Sequence, residues 1–243
     1  MKTDVMVLCA HPDDAELSCS GTIKNLTREG KTVVLVNCTR GELGTRGTPE
    51  IREHEAELAA EVLGVSQRVT LSMPDGAVAR TQENITSVIE VIRRWQPTLL
   101  LIPPPFERHP DHESVHHIAR SAAFLSGLAR IRTFHDNEEQ VPYRPQRMIC
   151  FEQTYSFPRL PDFYVDITES FQAKMDSIKA FASQFHVPER YSGEEPHTYL
   201  SRPEFLEEIE ARALHHGSRI GVRYAEAFLS VEPLGLPSLS VLL

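Results

Sequence analysis

The chain has 243 residues, and its composition is ordinary for a globular protein with a hydrophobic core, so one sizeable α/β domain is expected. The formal net charge is −9 with no block of like charges, which argues against a nucleic-acid or membrane-surface role because both need a basic face. We see no signal-peptide pattern and no apolar run long enough to span a bilayer.

The cysteines form no CxxC pair. Three of them, Cys9, Cys38 and Cys150, lie within or at the end of apolar, strand-like runs, and the fourth is Cys19. We therefore expect reduced core cysteines, which fits a cytoplasmic protein.

Short apolar runs alternate with helical patterns through the first half of the chain. The runs predict strands at 5–10, 32–38, 68–73 and 98–105, and the helical patterns fall at 15–29, 49–63, 81–95 and 112–126. Thr48 before Pro49 predicts the start of the second helix, and Gly64 predicts its end. This alternation predicts βαβ units and hence a parallel sheet with helices on both faces.

Past residue 128 the pattern loosens. Strand-like runs fall at 147–152 and 163–167, and helical patterns at 169–185 and 203–216. No linker marks a boundary, so we predict a single domain over residues 1–243. The predicted fold class is α/β, with a Rossmann-like, mostly parallel sheet flanked by helices.

Titratable side chains concentrate in two loops that leave predicted strand ends. "AHPDDAE" follows the first strand and "PPPFERHPDH" follows the fourth. Together they supply His11, Asp13, Asp14, His109, Asp111 and His112. Taken singly, each loop is also typical of a turn with an aspartate that caps the next helix. Because ligands of open α/β sheets bind at the carboxyl ends of the strands, the two loops together favour a functional site.

These residue types suit a hydrolytic zinc site. Two imidazoles and one carboxylate bind Zn²⁺ and leave a position open for water. A dication also removes the repulsion between the adjacent carboxylates of Asp13 and Asp14, so that one can bind the metal and the other can act as general base. A histidine outside the ligand set can stabilise an oxyanion or protonate a leaving group. The pattern predicts metal-assisted hydrolysis of an amide or ester.

The glycine-rich loop "TRGELGTRGT" follows the second strand. It lacks the Gly-Lys-Ser/Thr ending of a P-loop, and no GxGxxG opens the first helix. We interpret it as a flexible substrate-binding loop, with Arg46 and Arg52 either as anion contacts or as solvated arginines.

Residues 112–116, "HESVH", match the HExxH pattern of zinc peptidases, which would use His112, Glu113 and His116. This alternative leaves the "HPDD" loop without a role. It also needs the motif well inside a helix, whereas the preceding "PD" places it in a first turn. We expect His116 to be an ordinary helix residue.

In this order, "AHPDDAE" and "HPDH" resemble the PIG-L/LmbE-type zinc-dependent N-acetylglucosaminyl deacetylases. The stretches "TRGELGTRGT", "MPDG", "FLSGL" and "IEARALHHGSRIGVRYAEAF" extend the resemblance over nearly the whole chain and are similar to the bacillithiol-biosynthesis branch. The resemblance implies an N-deacetylase with Zn²⁺, or Fe²⁺ in the cell, that acts on N-acetylglucosaminyl-malate and is commonly a homo-oligomer.

The resemblance also implies a role for each site residue. The implied metal ligands are His11, Asp14 and His112. Asp13 matches the general base, His109 the residue that stabilises the oxyanion and aids the leaving amine, and Asp111 the partner that orients His109. Arg52 and Arg108 match positions that line the substrate pocket, where they would hold malate carboxylates.

Two further functions stay open beside the peptidase. One is deacetylation of another N-acetylglucosamine conjugate, such as a chitooligosaccharide or a mycothiol-type precursor. The other is non-catalytic sugar binding. Tyr191 and His197, in the polar loop 186–201, are candidates for contributing to the site.

Overall fold

The computed structural model describes residues 2–188, 196–238 and 240. Its strands are β1 (Val5–Cys9), β2 (Val33–Asn37), β3 (Gln67–Thr70), β4 (Leu99–Ile102), β5 (Phe134–His135), β6 (Glu138–Glu139), β7 (Arg147–Phe151), β8 (Phe163–Asp166) and β9 (Ala225–Ser230). Its helices are α1 (Asp14–Arg28), α2 (Pro49–Leu63), α3 (Gln82–Trp95), α4 (Pro110–Leu125), α5 (Phe171–Ala180) and α6 (Pro203–Ile220), with a 3₁₀ turn at Thr168–Ser170.

Seven strands form one sheet in the order β3-β2-β1-β4-β7-β9-β8, and β5 and β6 form a separate antiparallel pair. The first five strands of that order are parallel, and β9 runs antiparallel to both of its neighbours. The predicted α/β class with a mostly parallel sheet is therefore confirmed. The chain reverses its direction of travel across the sheet between β1 and β4, so the loops that follow these strands lie side by side.

Both faces of the sheet are covered, as strand β1 shows. Met6 and Leu8 pack in a core cluster with residues of α3 and α4. Val7 and Cys9, which alternate with them, pack in a second cluster with residues of α1. Because β1 is buried on both sides, its sequence is an uninterrupted apolar run.

Helix α2 begins and ends as predicted. The Thr48 side chain accepts a hydrogen bond from the backbone N–H of Ile51, and Pro49 occupies the first helical position. Gly64 ends the helix with a φ of 74°, a left-handed conformation that glycine adopts without strain.

Helix α5 is shorter than the predicted 169–185. It ends at Ala180, because Phe181 has a ψ of 58° and leaves the helical conformation. Phe181 and Phe185 then pack in a third core cluster with residues of α2 and α6. We attribute the end of α5 to the burial of these two rings. In the sequence, their spacing also fits a helix that continues to residue 185.

The four cysteines are buried and unpaired, as expected for reduced core residues. Within the described residues, we find no helix that is both long enough and apolar enough to cross a membrane.

Candidate metal centre and active site

Three side chains from the ends of β1 and β4 converge on one point. His11 and Asp14 follow β1, and His112 lies in the first turn of α4. His112 Nε2 lies 3.2 Å from His11 Nδ1 and 3.1 Å from Asp14 Oδ1. Asp14 Oδ2 lies 3.7 Å from His11 Nδ1, and all three residues are buried.

The spacing of these donor atoms fits a tetrahedral metal ion. Bonds of about 2.0–2.2 Å to a tetrahedral Zn²⁺ place neighbouring donors about 3.3–3.6 Å apart. The separations of His112 Nε2 from Asp14 Oδ1 and from His11 Nδ1, 3.1 and 3.2 Å, lie close to that range. Two imidazole nitrogens and one carboxylate oxygen also form the ligand set that suits Fe²⁺.

Asp14 is held in place by the turn that precedes it. Its Oδ2 accepts backbone N–H bonds from Ala10 and His11, each at 2.9 Å, which leaves Oδ1 directed at His112. Burial opposes ionisation, but the neighbouring His112 and His11 outweigh it and hold the pKa of Asp14 well below its usual range. The carboxylate is therefore ready to bind a cation.

The other ring nitrogen of His11 faces two carboxylates. His11 Nε2 lies 3.1 Å from Asp75 Oδ1 and 3.4 Å from Asp111 Oδ2. Burial opposes the charged imidazole, but Asp111, Asp14 and Asp75 together raise the pKa of His11 well above its ordinary value. A proton held on Nε2 leaves Nδ1 as the metal donor. Asp75 follows β3 and was not among the predicted site residues.

Backbone N–H groups anchor these two carboxylates. Asp75 Oδ2 accepts a bond of 2.8 Å from Leu43 of the glycine-rich loop. Asp111 accepts bonds of 2.7 and 3.1 Å from Gly76 and Val78. Although burial raises it, the pKa of Asp75 falls to about 2 through the bonds from His11 and Leu43. The loops after β2, β3 and β4 are thus all connected to His11, which follows β1.

His112 has a carboxylate behind it as well. Its Nδ1 lies 3.8 Å from Glu107 Oε2. Glu107 is itself held by the backbone N–H groups of Thr154 and Tyr155, at 3.2 and 2.8 Å. Burial lowers the pKa of His112, but Asp14 and Glu107 raise it further, to about 9. Glu107 is the second site residue that the sequence did not predict.

An arginine of strand β3, Arg68, stabilises the turn between β1 and α1. Arg68 Nη1 donates to Glu16 Oε1 at 2.8 Å and to the Ala56 carbonyl at 3.0 Å. Arg68 Nη2 donates to the Pro12 carbonyl. A buried guanidinium therefore fixes the turn that carries His11 and the two adjacent aspartates.

The predicted base, Asp13, lies next to a predicted substrate contact. Asp13 Oδ2 is 3.4 Å from Arg52 Nη2, and both residues are buried. Arg52 Nη1 donates to the Gly41 carbonyl at 2.8 Å. Arg52 is expected to hold a malate carboxylate, but its guanidinium is already hydrogen-bonded to Gly41 and ion-paired with Asp13. Arg108 is exposed, with its guanidinium 4.7 Å from the centre of the Tyr199 ring.

His109 caps the N-terminus of α4, but the Asp111 carboxylate is not what orients it. The backbone N–H of Asp111 donates to His109 Nδ1 at 3.2 Å, while the carboxylate of Asp111 turns to His11 and to the loop after β3. The predicted contact between these residues is thus made by the backbone, because the side chain is used by other donors. One ring nitrogen each of His11, His109 and His112 lie within 4.8 Å of one another.

The HExxH residues do not assemble a site. His116 Nδ1 lies 2.9 Å from the Pro103 carbonyl, and Glu113 accepts the backbone N–H of Glu107 at 3.0 Å. Across residues 2–188, 196–238 and 240, two groups have ligand atoms that all lie within 4.8 Å of one another, namely His11, His109 and His112, and His11, Asp75 and Asp111; neither contains His116. His116 is therefore a buried helix residue, as expected.

A cavity of about 620 Å³ opens above His11, Asp14 and His112, which line it. Its walls include Arg108, Gln153, Tyr199 and Arg212, which come from both halves of the chain. Thr198, Tyr199 and Leu200 of the predicted loop 186–201 line it. His197 is exposed, and Tyr191 lies outside the described residues. The volume accommodates a sugar conjugate.

Comparison with known proteins identifies relatives of this arrangement. Residues 6–123 match the family model described as PIG-L, GlcNAc-PI de-N-acetylase. The diacetylchitobiose deacetylase of Thermococcus kodakarensis is 31% identical over 234 residues, covering 90% of this chain and 80% of that protein.

Two solved structures share the fold over nearly the full chain. The conserved protein TT1542 from Thermus thermophilus superposes with a TM-score of 0.84 at 32% identity, covering 97% of this chain and 98% of that one. The N,N'-diacetylchitobiose deacetylase from Pyrococcus horikoshii, complexed with its inhibitor MPG, superposes with a TM-score of 0.76 at 26% identity, covering 94% and 84%. The chain therefore belongs to the PIG-L family of deacetylases.

Proposed function

We propose that the protein is a metal-dependent hydrolase that removes the N-acetyl group from an N-acetylglucosamine conjugate. The observation that carries this proposal is the convergence of His11, Asp14 and His112 beside the carboxylate of Asp13, at the floor of a cavity large enough for a sugar. The family description and the names of the relatives support the acetylated sugar as substrate class.

His11, Asp14 and His112 would hold the metal, with Zn²⁺ as the proposed ion and Fe²⁺ as the alternative. Such an ion supplies a Lewis acid for the acetyl carbonyl and acidifies water at neutral pH. Asp13 accepts the proton of the water that attacks the carbonyl carbon. When the C–N bond breaks, the amine nitrogen takes up that proton and acetate is released.

His109 donates a hydrogen bond in this reaction. Its Nδ1 accepts the backbone N–H of Asp111, so the neutral ring carries its proton on Nε2. Burial, together with His11 and His112, lowers the pKa of His109, which keeps the ring neutral. An Nε2–H that lines the cavity can stabilise the oxyanion that forms on the acetyl carbonyl.

The contacts of Arg52 and Arg108 favour some candidate substrates over others. An acidic aglycone such as that of N-acetylglucosaminyl-malate would find Arg108 open, but Arg52 is bonded to Asp13 and Gly41. A neutral chitobiose-type glycan needs no second arginine, and two of the deacetylases to which the chain is similar act on diacetylchitobiose by their names. We propose N,N'-diacetylchitobiose as the first substrate to test and N-acetylglucosaminyl-malate of bacillithiol biosynthesis as the second.

Substitution of the base tests the reaction. Asp13→Asn should retain the metal, because the three ligands are untouched, and should lower kcat for acetate release by about 10²–10⁴-fold. Acetate release and bound metal are measured on the same protein sample. Full activity in Asp13→Asn would contradict the assigned chemistry.

A further inference from the structure

We propose that Arg52 is a positioning residue that orients the general base Asp13, and that it does not bind an anionic group of the substrate. The inference rests on the proposed function, because it takes Asp13 as the base of the deacetylation.

The first observation is a buried ion pair. Arg52 Nη2 lies 3.4 Å from Asp13 Oδ2, and the two residues are only 5% and 4% exposed. Away from water, the attraction between the two charges is weakly screened, so it restrains the direction of the carboxylate. A base must stay within hydrogen-bond reach of the proton it takes, and a displacement of about 1 Å can cost about 10²-fold in rate.

The second observation is that the guanidinium of Arg52 is held by the glycine-rich loop. Arg52 follows the first turn of α2, and its Nη1 donates to the Gly41 carbonyl at 2.8 Å. Gly41 has a φ of 67°, and a Cβ built there would collide with Arg52 Nη1. The residue must therefore be glycine both for its backbone conformation and to leave room for the guanidinium.

The glycine-rich loop that receives Arg52 is itself braced. The backbone N–H of Leu43 donates to Asp75 Oδ2 at 2.8 Å, and the backbone N–H of Asp75 donates to Glu42 Oε1 at 2.9 Å. The loop is thus fixed to the turn that also supports His11. Base and metal ligand are oriented by one connected set of bonds.

The third observation concerns whether a substrate carboxylate can reach the Arg52 guanidinium. Arg52 directs Nη1 and Nη2 at protein acceptors, and its Nε is buried without a hydrogen-bond partner. A substrate carboxylate paired with both Nη groups would compete with Asp13 and with the Gly41 carbonyl. Arg108, which is exposed at the cavity, is open to such a group.

The experiment compares Arg52→Gln and Arg52→Lys with wild type, each alone and with Asp13→Asn. Arg132→Gln is the matched control, because Arg132 is an exposed arginine that pairs with Glu139 and does not line the cavity. Acetate release is measured on N,N'-diacetylchitobiose, which is neutral, and on N-acetylglucosaminyl-malate, which is acidic. Bound metal and thermal unfolding are recorded for every variant.

We expect Arg52→Gln to lower kcat by about 10²-fold on every substrate that the wild type uses, with KM and bound metal unchanged. Arg52→Lys should recover part of the rate, and Arg52→Gln should add no further loss in the Asp13→Asn background. Arg132→Gln should match wild type.

Two results would overturn the inference while leaving the deacetylase intact. One is a loss that appears in KM and only on the acidic substrate. The other is a full, additive loss from Arg52→Gln when Asp13 is already asparagine. Wild-type protein that releases acetate from neither substrate would instead overturn the proposed function, and the inference with it.

Discussion

The ring nitrogens of His11, His109 and His116 meet different partners, and these partners separate their roles. Two carboxylates face His11 Nε2, which frees Nδ1 for a metal. A backbone N–H occupies His109 Nδ1, which leaves a donor in the cavity. A backbone carbonyl lies against His116 Nδ1, and that residue has a purely structural environment. Residue type alone does not distinguish the three.

The protonation of His116 should make stability depend on pH. Burial lowers its pKa from 6.5 to about 4 in the folded chain, so below pH 6.5 the unfolded chain binds a proton that the folded chain refuses. The free energy of unfolding should therefore fall as the pH drops from about 6.5 to 4. His116→Asn, which can still donate to Pro103, should flatten this dependence. Denaturant unfolding at several pH values, with a chelator present, measures the free energy of unfolding. An equal pH dependence in wild type and His116→Asn would show that His116 is not the group responsible.

Six titratable residues of the site were predictable because they lie in two conspicuous loops, "HPDD" and "HPDH". Asp75 and Glu107 were not, although both follow parallel strands that end at the same edge. Asp75 lies in "PDG", which a turn alone explains, and Glu107 acts only through contacts with His112 and distant backbone groups. The sequence did offer one signal for Asp75: it is a carboxylate that follows the predicted third strand, whose carboxyl end lies at the same edge of the sheet as those of β1 and β4.

At the level of elements, helix α1 is interrupted beside strand β9. Cys19 has φ and ψ of −138° and 18°, which are not helical. The freed backbone N–H groups of Gly21 and Thr22 donate to the buried Glu226 of β9, at 3.0 and 2.8 Å. Lys174 of α5 pairs with the same carboxylate at 2.8 Å.

This cluster explains why β9 was not predicted. A glutamate interrupts the apolar run of "AEAFLS", and its burial is acceptable only because helices distant in sequence supply its partners. The strands of the first half needed no such partners, since continuous apolar runs between helices already indicate a buried parallel sheet.

Removal of Lys174 should therefore destabilise the fold. Lys174→Met leaves Glu226 buried without its countercharge and should lower the free energy of unfolding by about 3–5 kcal/mol. Lys179→Met, at an exposed position of the same helix, is the control and should have little effect. Denaturant unfolding measures the free energy of unfolding of both variants. Equal values for Lys174→Met and Lys179→Met would show that the ion pair of Lys174 with Glu226 is dispensable.

Over the whole molecule, the two halves of the chain divide the work of the site. The family match at 6–123 contains the proposed metal ligands and the proposed base, whereas Gln153, Tyr199 and Arg212 of the cavity wall lie beyond it. The residues proposed for the reaction therefore lie in the half of the chain whose strands and helices were predicted from the sequence, and part of the cavity wall lies in the half whose pattern was loose. Assembly into a homo-oligomer stays a prediction, which light scattering would test.

The central claim is metal-dependent N-deacetylation, and acetate release before and after metal removal tests it most directly. The protein is stripped with a chelator, reloaded with Zn²⁺ or Fe²⁺, and assayed on N,N'-diacetylchitobiose and N-acetylglucosaminyl-malate. We predict that stripped protein releases no acetate and that reloading restores release from at least one substrate. Equal release from stripped and reloaded protein, or none from either substrate with either metal, would contradict the account.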